Sequence, residues 1–196
     1  MSSIEEVIGS TDIYLVDQMM KGRYRESDVI LDAGCGGGRN LHWFLRNGIA
    51  IYGVDQNADA IGGLQRHYPT LAGRFGVAEV ESLPFEDDRF DHVLSSAVLH
   101  FARDTAHFQQ MMAEMVRVLR PFGSLFIRMT TDIGIEGRVR LVGGGVYDLP
   151  DGSRRFLLTR ELLAETMRKN GLSFLEPFKT VNVNDLRSMS TLVLVK

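Results

Sequence analysis

The sequence is organised around one segment, which reads Val29-Ile30-Leu31-Asp32-Ala33-Gly34-Cys35-Gly36-Gly37-Gly38-Arg39-Asn40. A short β-branched, apolar run leads directly into a glycine cluster, and an amphipathic helical pattern follows, which predicts a strand, a tight turn and a helix. Bare glycines let a ligand approach the main chain closely, and the first turn of a helix directs unpaired N–H groups at it. We therefore interpret this segment as a binding loop for a nucleotide-type cofactor.

A second strand is predicted at residues 49–54 and is followed by Asp55. This carboxylate comes about twenty positions after the glycine loop, at a strand end of the kind where ligands bind in open α/β sheets. Its two oxygens match the two neighbouring hydroxyls of a ribose. Asp55 is therefore a candidate ribose contact, and capping of the following helix is the alternative role for both Asp32 and Asp55.

Strands and helices alternate along the rest of the chain. One helix is predicted before the glycine loop, at residues 12–20, and the clearest helix follows Asp104, where apolar residues recur at helical spacing. Alternating strands and helices predict an α/β fold, a doubly wound, mostly parallel seven-stranded sheet with helices on both faces. A short connection before the last strand makes that strand antiparallel. The other predicted strands are residues 74–80, 90–96, 124–129, 173–180 and 189–195, and the other predicted helices are residues 58–68 and 159–170.

The length of 196 residues predicts a single domain, residues 1–196, in which residues 1–28 form an N-terminal helical cap. Residues 130–158 form a glycine-rich, lid-like insertion with a hairpin predicted around Pro150-Asp151-Gly152. Charges of both signs in this insertion predict a solvated lid rather than an anion-binding surface. The arginines are Arg138, Arg140, Arg154 and Arg155, and the carboxylates are Asp132, Glu136, Asp148 and Asp151.

The net charge of −3 disfavours a nucleic-acid partner, because surfaces that bind phosphate backbones carry a basic excess. The single cysteine, Cys35, cannot form an intrachain disulfide, and the sequence shows no Cys/His cluster, so we expect no metal site. The N-terminal residues lack the basic and apolar regions of a secretion signal, and no stretch reaches membrane-spanning length. We expect a cytoplasmic protein without a membrane partner, and the oligomeric state stays open.

Five short sequence motifs occur in a fixed order along the predicted strands and loops. They are Leu31-Asp32-Ala33-Gly34-Cys35-Gly36-Gly37-Gly38, Gly53-Val54-Asp55, Glu79-Val80-Glu81-Ser82-Leu83-Pro84-Phe85, Phe90-Asp91-His92-Val93-Leu94-Ser95-Ser96 and Val118-Leu119-Arg120-Pro121-Phe122-Gly123-Ser124-Leu125. Together these motifs, which fall within residues 29–129, resemble the class I S-adenosylmethionine-dependent methyltransferases. Residues 38–40, the compact length and the ending at residues 189–196 are similar to the small tellurite-resistance-type branch of this class.

The resemblance implies a set of contacts to S-adenosylmethionine, whose product is S-adenosylhomocysteine. Because the family often has Asp where Glu79 stands, the adenine contact is alternatively Glu81. Competing interpretations are a solvated position for Arg39 and for the two glutamates, and a packing role for Cys35. The implied cofactor contacts are Asp32, Gly34, Cys35, Gly36, Gly38 and Arg39 around the methionine portion, Asp55 and Gln56 at the ribose, Glu79 and Val80 at the adenine, and Ser95 and Ser96 at the end of the fourth strand.

The charge of the cofactor supports this interpretation. S-adenosylmethionine carries a sulfonium and an ammonium but no phosphate, so the carboxylate of Asp32 attracts it, whereas the same carboxylate repels a pyrophosphate. An NAD-dependent oxidoreductase also needs glycine at the position of Arg39. The other alternative is a methyltransferase-like binding or regulatory module without turnover, which would bind cofactor without methylating any acceptor.

The acceptor side is predicted beyond the carboxyl ends of the strands. His100 is a candidate general base or substrate contact, with a hydrogen-bonded structural role as the alternative. Arg128 and Arg187 are candidate substrate contacts near the mouth of the same site, with surface ion pairs as the alternative. The sequence lacks an Asn/Asp-Pro-Pro-Tyr/Phe motif, a cysteine available for attack on a pyrimidine and an acidic-histidine metal cluster. We therefore predict a small-molecule acceptor with an oxygen, nitrogen, sulfur or metalloid nucleophile.

Overall fold

A computed structural model describes residues 3–196 as alternating helices and strands. The helices are α1 (Ile4–Ile8), α2 (Ile13–Met20), α3 (His42–Arg46), α4 (Ala58–His67), α5 (Thr105–Val118) and α6 (Arg160–Asn170). The strands are β1 (Val29–Ala33), β2 (Ala50–Asp55), β3 (Phe75–Val77), β4 (Phe90–Ser96), β5 (Leu119–Thr130), β6 (Arg140–Gly143), β7 (Val146–Asp148), β8 (Arg154–Phe156), β9 (Ser173–Phe174), β10 (Lys179–Val183) and β11 (Arg187–Val195).

The main sheet has the strand order β10-β11-β5-β4-β1-β2-β3. The pairs β3–β2, β2–β1, β1–β4 and β4–β5 are parallel, and β11 is antiparallel to both β5 and β10. This confirms the predicted α/β fold with a mostly parallel sheet and an antiparallel last strand. The two-residue strand β9, which the sequence reading did not separate, pairs with β11 as an eighth member of the sheet.

Two hydrophobic clusters cover the two faces of this sheet. Side chains alternate along each strand, so Leu31 of β1 joins the cluster beneath α5 and α6, whereas Ile30 joins the cluster beneath α2, α3 and α4. The methionines of α5, Met111, Met112 and Met115, are buried in the first cluster. Because both faces are covered, a ligand has access to the sheet from the carboxyl ends of its parallel strands.

Several element boundaries differ from the predicted ones. Strand β3 ends at Val77, because the chain then enters a turn in which the Ser82 N–H donates to the Glu79 carbonyl at 3.1 Å. The segment predicted as one strand at residues 173–180 forms β9 and β10, which are separated around Pro177, a residue without an N–H to donate. Strand β5 begins at Leu119 rather than at Ser124, since it pairs with β4 on both sides of a register shift.

The predicted N-terminal cap contains α1 and α2, and residues 21–28 are not helical. Helix α2 begins after Asp12, whose Oδ1 accepts a hydrogen bond from the Tyr14 N–H at 3.0 Å. Met1 and Ser2 of the predicted cap lie outside the described residues. The division of residues 1–196 into one domain with this cap stays a prediction.

The lid-like insertion at residues 130–158 forms a second, antiparallel sheet, β6–β7–β8. The predicted hairpin is the β7–β8 pair, and β6 adds a third strand to it. The Phe156 ring of β8 stacks on Phe108 of α5 with 5.0 Å between ring centroids. Strand β8 also contacts the short 3₁₀ helix Leu99–Phe101, which follows β4. The insertion therefore lies against the carboxyl end of β4.

Two features are absent from the described part of the chain. Within residues 3–196, none of the helices combines the length and apolarity that crossing a bilayer requires. In the same range, His, Cys, Asp and Glu side chains form no group of three that is suited to hold a metal ion. Localisation and the expected lack of a metal stay predictions.

Candidate cofactor and acceptor site

The glycine loop after β1 turns sharply and is fastened to β2. The backbone N–H groups of Gly34 and Cys35 both donate to the Val54 carbonyl, at 2.8 and 2.9 Å. Gly34 has a φ of +85°, and a Cβ at this position would lie 2.4 Å from Cγ2 of Val98. Only glycine satisfies both conditions, so the close approach of the loop to the chain after β4 depends on it.

Two cavities flank the loop and share three of their lining residues, Gly34, Gly36 and Ala97. The larger, of about 790 Å³, extends over residues 34–40 toward α1, α3 and α4. The smaller, of about 510 Å³, extends from the loop across Asp55 and residues 78–81 to Met111 of α5. Ala97 has a φ of +65°, a strained value for a residue with a side chain, at the junction of the two cavities.

Asp32 is the last polar side chain of β1 before the glycine loop and is fully buried. Neither of its carboxylate oxygens has a hydrogen-bond partner at normal geometry, although the Asn40 side chain lies close enough to lower the pKa of this carboxyl. This burial raises the pKa of Asp32 to about 7, and the neighbouring positive charge of Arg39 opposes the rise. An unpartnered carboxylate beneath a loop that only glycine can form fits a cationic ligand seated on that loop.

Asp55 fastens the loop from the end of β2. Its Oδ2 accepts from the Gly36 N–H at 2.8 Å, and its Oδ1 accepts from the Asn57 N–H at 2.9 Å. The carboxylate is half-buried and lines the smaller cavity beside Gln56. Because each carboxylate oxygen has a second acceptor site, Asp55 retains capacity for ligand hydroxyls.

The two candidate adenine contacts differ in their surroundings. Glu81 binds His107, with 2.7 Å between Glu81 Oε1 and His107 Nε2, and Arg103 lies 3.5 Å from the same oxygen. Glu79 is exposed, lines the smaller cavity beside Val80, and takes part in none of the ion pairs found among residues 3–196. Its carboxylate is therefore the one that is free to accept a hydrogen bond from a ligand.

The sequence reading missed Asp12, which joins four elements at the edge of the larger cavity. Its Oδ2 accepts from Arg128 Nη1 at 2.9 Å, from Ser96 Oγ at 3.2 Å and from Arg39 Nη2 at 3.3 Å. Arg39 Nη2 also donates to Ser96 Oγ at 3.0 Å. In the sequence, Asp12 is only the first residue of the predicted helix 12–20, and this position does not reveal contacts to β4 and β5.

Two predicted contacts, Ser95 and Cys35, have side chains in packed surroundings, although Cys35 also lines the larger cavity. Ser95 is fully buried and lines neither cavity, because alternation along β4 places it and Ser96 on opposite faces of the sheet. Ser96 lines the larger cavity. The Cys35 thiol packs against Gly53, where an added Cβ would lie 2.8 Å from the sulfur, and burial raises the pKa of this thiol. These environments correspond to packing roles for the side chains of Ser95 and Cys35.

Of the three candidate acceptor residues, His100 follows β4, Arg128 lies near the carboxyl end of β5, and Arg187 is the first residue of β11. His100 is buried in the 3₁₀ helix after β4, and its Nδ1 has no hydrogen-bond partner. Burial lowers the pKa of His100 to about 4, assisted by the charges of Arg155, Arg187 and Arg128. Arg128 is held by Asp12, and Arg187 lies 3.9 Å from Asp151. None of the three lines the two cavities described above.

The chain is similar in sequence and fold to methyltransferases. Residues 31–127 match the family model of a methyltransferase domain. A phthiotriol/phenolphthiotriol dimycocerosates methyltransferase of Mycobacterium ulcerans is 33% identical over 141 residues, which cover 71% of this chain and 49% of that protein. The chain thus spans about half the length of the curated relatives it matches.

Solved structures show the same fold at lower identity. A structure described as an S-adenosylmethionine-dependent methyltransferase from Methanosarcina mazei is similar with a TM-score of 0.74 and 20% identity, covering 91% of this chain and 96% of that one. The 1,6-didemethyltoxoflavin-N1-methyltransferase of Burkholderia thailandensis, solved with S-adenosylhomocysteine, gives a TM-score of 0.66 at 20% identity and covers 94% of this chain and 86% of its own.

Proposed function

Because the chain belongs to the class I S-adenosylmethionine-dependent methyltransferases, we propose that it transfers the methyl group of this cofactor to a small-molecule acceptor. The observation that carries the proposal is the buried, unpartnered carboxylate of Asp32 beneath the glycine loop. A cationic methionine portion on the loop supplies the missing partner. The narrower resemblance to the tellurite-resistance-type branch stays a prediction.

The two cavities offer complementary groups to the two ends of the cofactor. Asp32, buried beneath the loop that lines the larger cavity, attracts the ammonium group through its charge, and Arg39, which lines that cavity, offers a partly exposed guanidinium to the carboxylate. At the smaller cavity, Asp55 accepts hydrogen bonds from the ribose, and Glu79 accepts one from the adenine amine. Met111 adds an apolar wall to the smaller cavity.

S-adenosylmethionine supplies a methyl group on a sulfonium, so the acceptor's lone pair forms the new bond to carbon while the carbon–sulfur electron pair stays on sulfur in S-adenosylhomocysteine. The chain's own residues contribute mainly by orienting two ligands and excluding water. His100 is neutral at ordinary pH, so its ring is able to accept a hydrogen bond but is a weak base. An acceptor that is already an anion needs no base, whereas a hydroxyl acceptor must lose its proton.

The names of similar proteins support a small-molecule acceptor. The Mycobacterium ulcerans relative is named for phthiotriol dimycocerosates, and the Burkholderia thailandensis structure is named for 1,6-didemethyltoxoflavin. These acceptors differ widely in chemistry, and the matched segment covers only about half of the first protein. The identity of the acceptor therefore has to come from experiment.

The test is mass spectrometry of products after incubation with S-adenosylmethionine and a panel of oxygen, nitrogen, sulfur and metalloid acceptors. We expect methylation of at least one acceptor class, with S-adenosylhomocysteine formed in equal amount. The Asp55→Ala variant, which lacks the proposed ribose contact, is the control and is expected to lose most of this turnover. Cofactor binding without methylation of any acceptor would instead support the binding or regulatory module.

A further inference from the structure

The arginines of the lid-like insertion differ in whether a carboxylate neutralises them. Arg140 and Arg154 both bind Asp148, and Arg138 binds Asp185 at 3.1 Å. Arg155 follows Arg154 on β8 and points to the opposite face of the strand, where no carboxylate of residues 3–196 lies within ion-pair distance. The predicted cancellation by carboxylates of the insertion therefore holds for Arg140 and Arg154, whereas Arg138 is neutralised from outside the insertion and Arg155 has no ion-pair partner among residues 3–196.

Arg155 is directed toward the turn that carries His100. Its guanidinium lies over the Phe101 ring, 5.1 Å from the centroid, and Phe101 lines the smaller cavity. The side chain is half-buried, and one of its N–H groups donates to the Arg154 carbonyl at 2.7 Å. A guanidinium has five N–H donors, so most of the donors of Arg155 are available to a ligand.

Arg187, at the start of β11, adds a second weakly neutralised charge, which is close enough to His100 to help lower the pKa of that histidine. Its nearest carboxylate is Asp151, at 3.9 Å, and the other oxygen of Asp151 already accepts from the Ser153 N–H and Oγ at 2.9 and 2.6 Å. Arg128, the third arginine near His100, is in contrast bound tightly by Asp12. Asp151 is the carboxylate whose charge both guanidinium groups feel, so two positive charges share one negative charge and a local positive excess remains.

We propose that Arg155 and Arg187 bind an anionic group of the methyl acceptor, a carboxylate or a phosphate, beside His100 and over the edge of Phe101. This inference rests on the proposed function and deepens it, because it names the acceptor as an organic acid or a phosphate ester. Planar guanidinium groups bind both kinds of anion with paired hydrogen bonds. Phe101, the last residue of the turn that carries His100, lines the smaller cavity, so a group held by Arg155 over this ring lies at the edge of that cavity.

The test is calorimetric titration of benzoate, of inorganic phosphate and of uncharged benzamide into the protein saturated with S-adenosylhomocysteine. Binding of S-adenosylhomocysteine is measured first and reports on the cofactor site alone, so failure of the proposed function is seen separately from failure of this inference. We expect one or both anions to bind and benzamide not to bind. Preference for benzoate indicates an organic acid, and preference for phosphate indicates a phosphate ester.

Three variants decide whether the named arginines are responsible. We expect Arg155→Gln and Arg187→Gln each to weaken anion binding about tenfold or more, the scale of one charged hydrogen bond. Arg154→Gln is the matched control, because Arg154 is the neighbouring arginine of β8 and is already paired with Asp148. Absence of anion binding, or an equal loss in Arg154→Gln, would overturn the proposal. Thermal unfolding of each variant shows whether it is folded.

Discussion

The carboxylate of Asp12 accepts a hydrogen bond from Arg128 at 2.9 Å, across 116 residues of sequence. Asp12 is nearly fully buried and caps α2, whereas Arg128 stands near the end of β5 and places its guanidinium 5.0 Å from the centroid of Tyr14. The pair therefore fixes the N-terminal helices over the sheet edge that carries the glycine loop. The same carboxylate also binds Arg39, the residue that directly follows the loop glycines.

Replacing Asp12 by asparagine is expected to destabilise the protein by about 1–3 kcal/mol, because Arg128 and Arg39 both lose a charged partner. Urea unfolding monitored by circular dichroism measures this change. Asp17→Asn is the control, since Asp17 pairs with Lys21 and Lys179 on the surface, where such ion pairs contribute less than about 1 kcal/mol. Equal effects of the two substitutions would show that the Asp12 cluster does not hold the N-terminal helices.

Asp32→Asn is expected to raise stability and lower cofactor affinity together. Burial raises the pKa of Asp32 from 3.8 to about 7, so the folded state retains a proton that the unfolded state releases, and stability falls as pH rises through this window. Asparagine does not titrate, so the variant does not lose stability in this pH range. Its free energy of unfolding should equal that of the wild type near pH 4 and be higher by more than about 1 kcal/mol at pH 8.

The same substitution removes the charge that attracts the ammonium group. Calorimetric titration at pH 8 should show S-adenosylmethionine binding weakened about tenfold or more. In the wild type, affinity should fall as pH drops below about 7, because Asp32 then takes up a proton. A stability difference that is the same at pH 4 and pH 8, or an unchanged affinity, would contradict the role assigned to Asp32.

The sequence predicted best those features that depend on local pattern. The glycine loop, the acidic end of β2 and the strand Phe90–Ser96 could be predicted from the positions of glycines and of apolar runs, because these patterns involve only residues that are close together in the sequence. The cluster around Asp12 could not be predicted, because it depends on the register of β4 against β5, which pairs Ser96 with Arg128. The pairing of the insertion arginines likewise depends on which residues of β7 and β8 face each other. The sequence therefore could not show that Arg154 has a carboxylate partner and Arg155 has none among residues 3–196.

Glu79→Ala is expected to weaken S-adenosylhomocysteine binding more than Glu81→Ala does. Glu79 lines the smaller cavity without an ion-pair partner among the described residues, whereas Glu81 is engaged by His107 at 2.7 Å. Loss of one charged acceptor corresponds to about 1.5–3 kcal/mol of binding free energy. Calorimetric titration of both variants measures the difference. A larger loss for Glu81→Ala would assign the adenine contact to Glu81 instead.

His100→Gln is expected to make folding less sensitive to acid. The pKa of His100 is lowered from 6.5 to about 4, so the unfolded state takes up a proton first as pH falls, and the wild type loses stability between these values. Glutamine does not titrate, and the variant should therefore lose less stability between pH 7 and pH 4 in denaturant unfolding. If His100 also contacts the acceptor, the variant should lower turnover while leaving cofactor affinity unchanged. Identical acid sensitivity in both proteins would show that His100 is not buried in this way.

The backbone strain at Ala97 can be tested by glycine substitution, with Phe122, a second residue of positive φ, as the control. Ala97 and Phe122 both adopt left-handed conformations, with φ values of +65° and +64°, but Ala97 lines both cavities, whereas Phe122 is exposed near the start of β5 and lines neither. A side chain in this region costs about 1–2 kcal/mol, so glycine at either position should stabilise the fold by about 1 kcal/mol. Denaturant unfolding measures both gains.

The two glycine variants should differ in function. Ala97→Gly frees the backbone where the cavities meet and should weaken S-adenosylmethionine binding, because a flexible junction must be ordered when the ligand binds. Phe122→Gly should gain the same stability and keep its affinity. Stabilisation of both variants with unchanged affinity would show that the strain at Ala97 is unrelated to the ligand, whereas a gain confined to Phe122→Gly would show that the contacts around Ala97 require its methyl group.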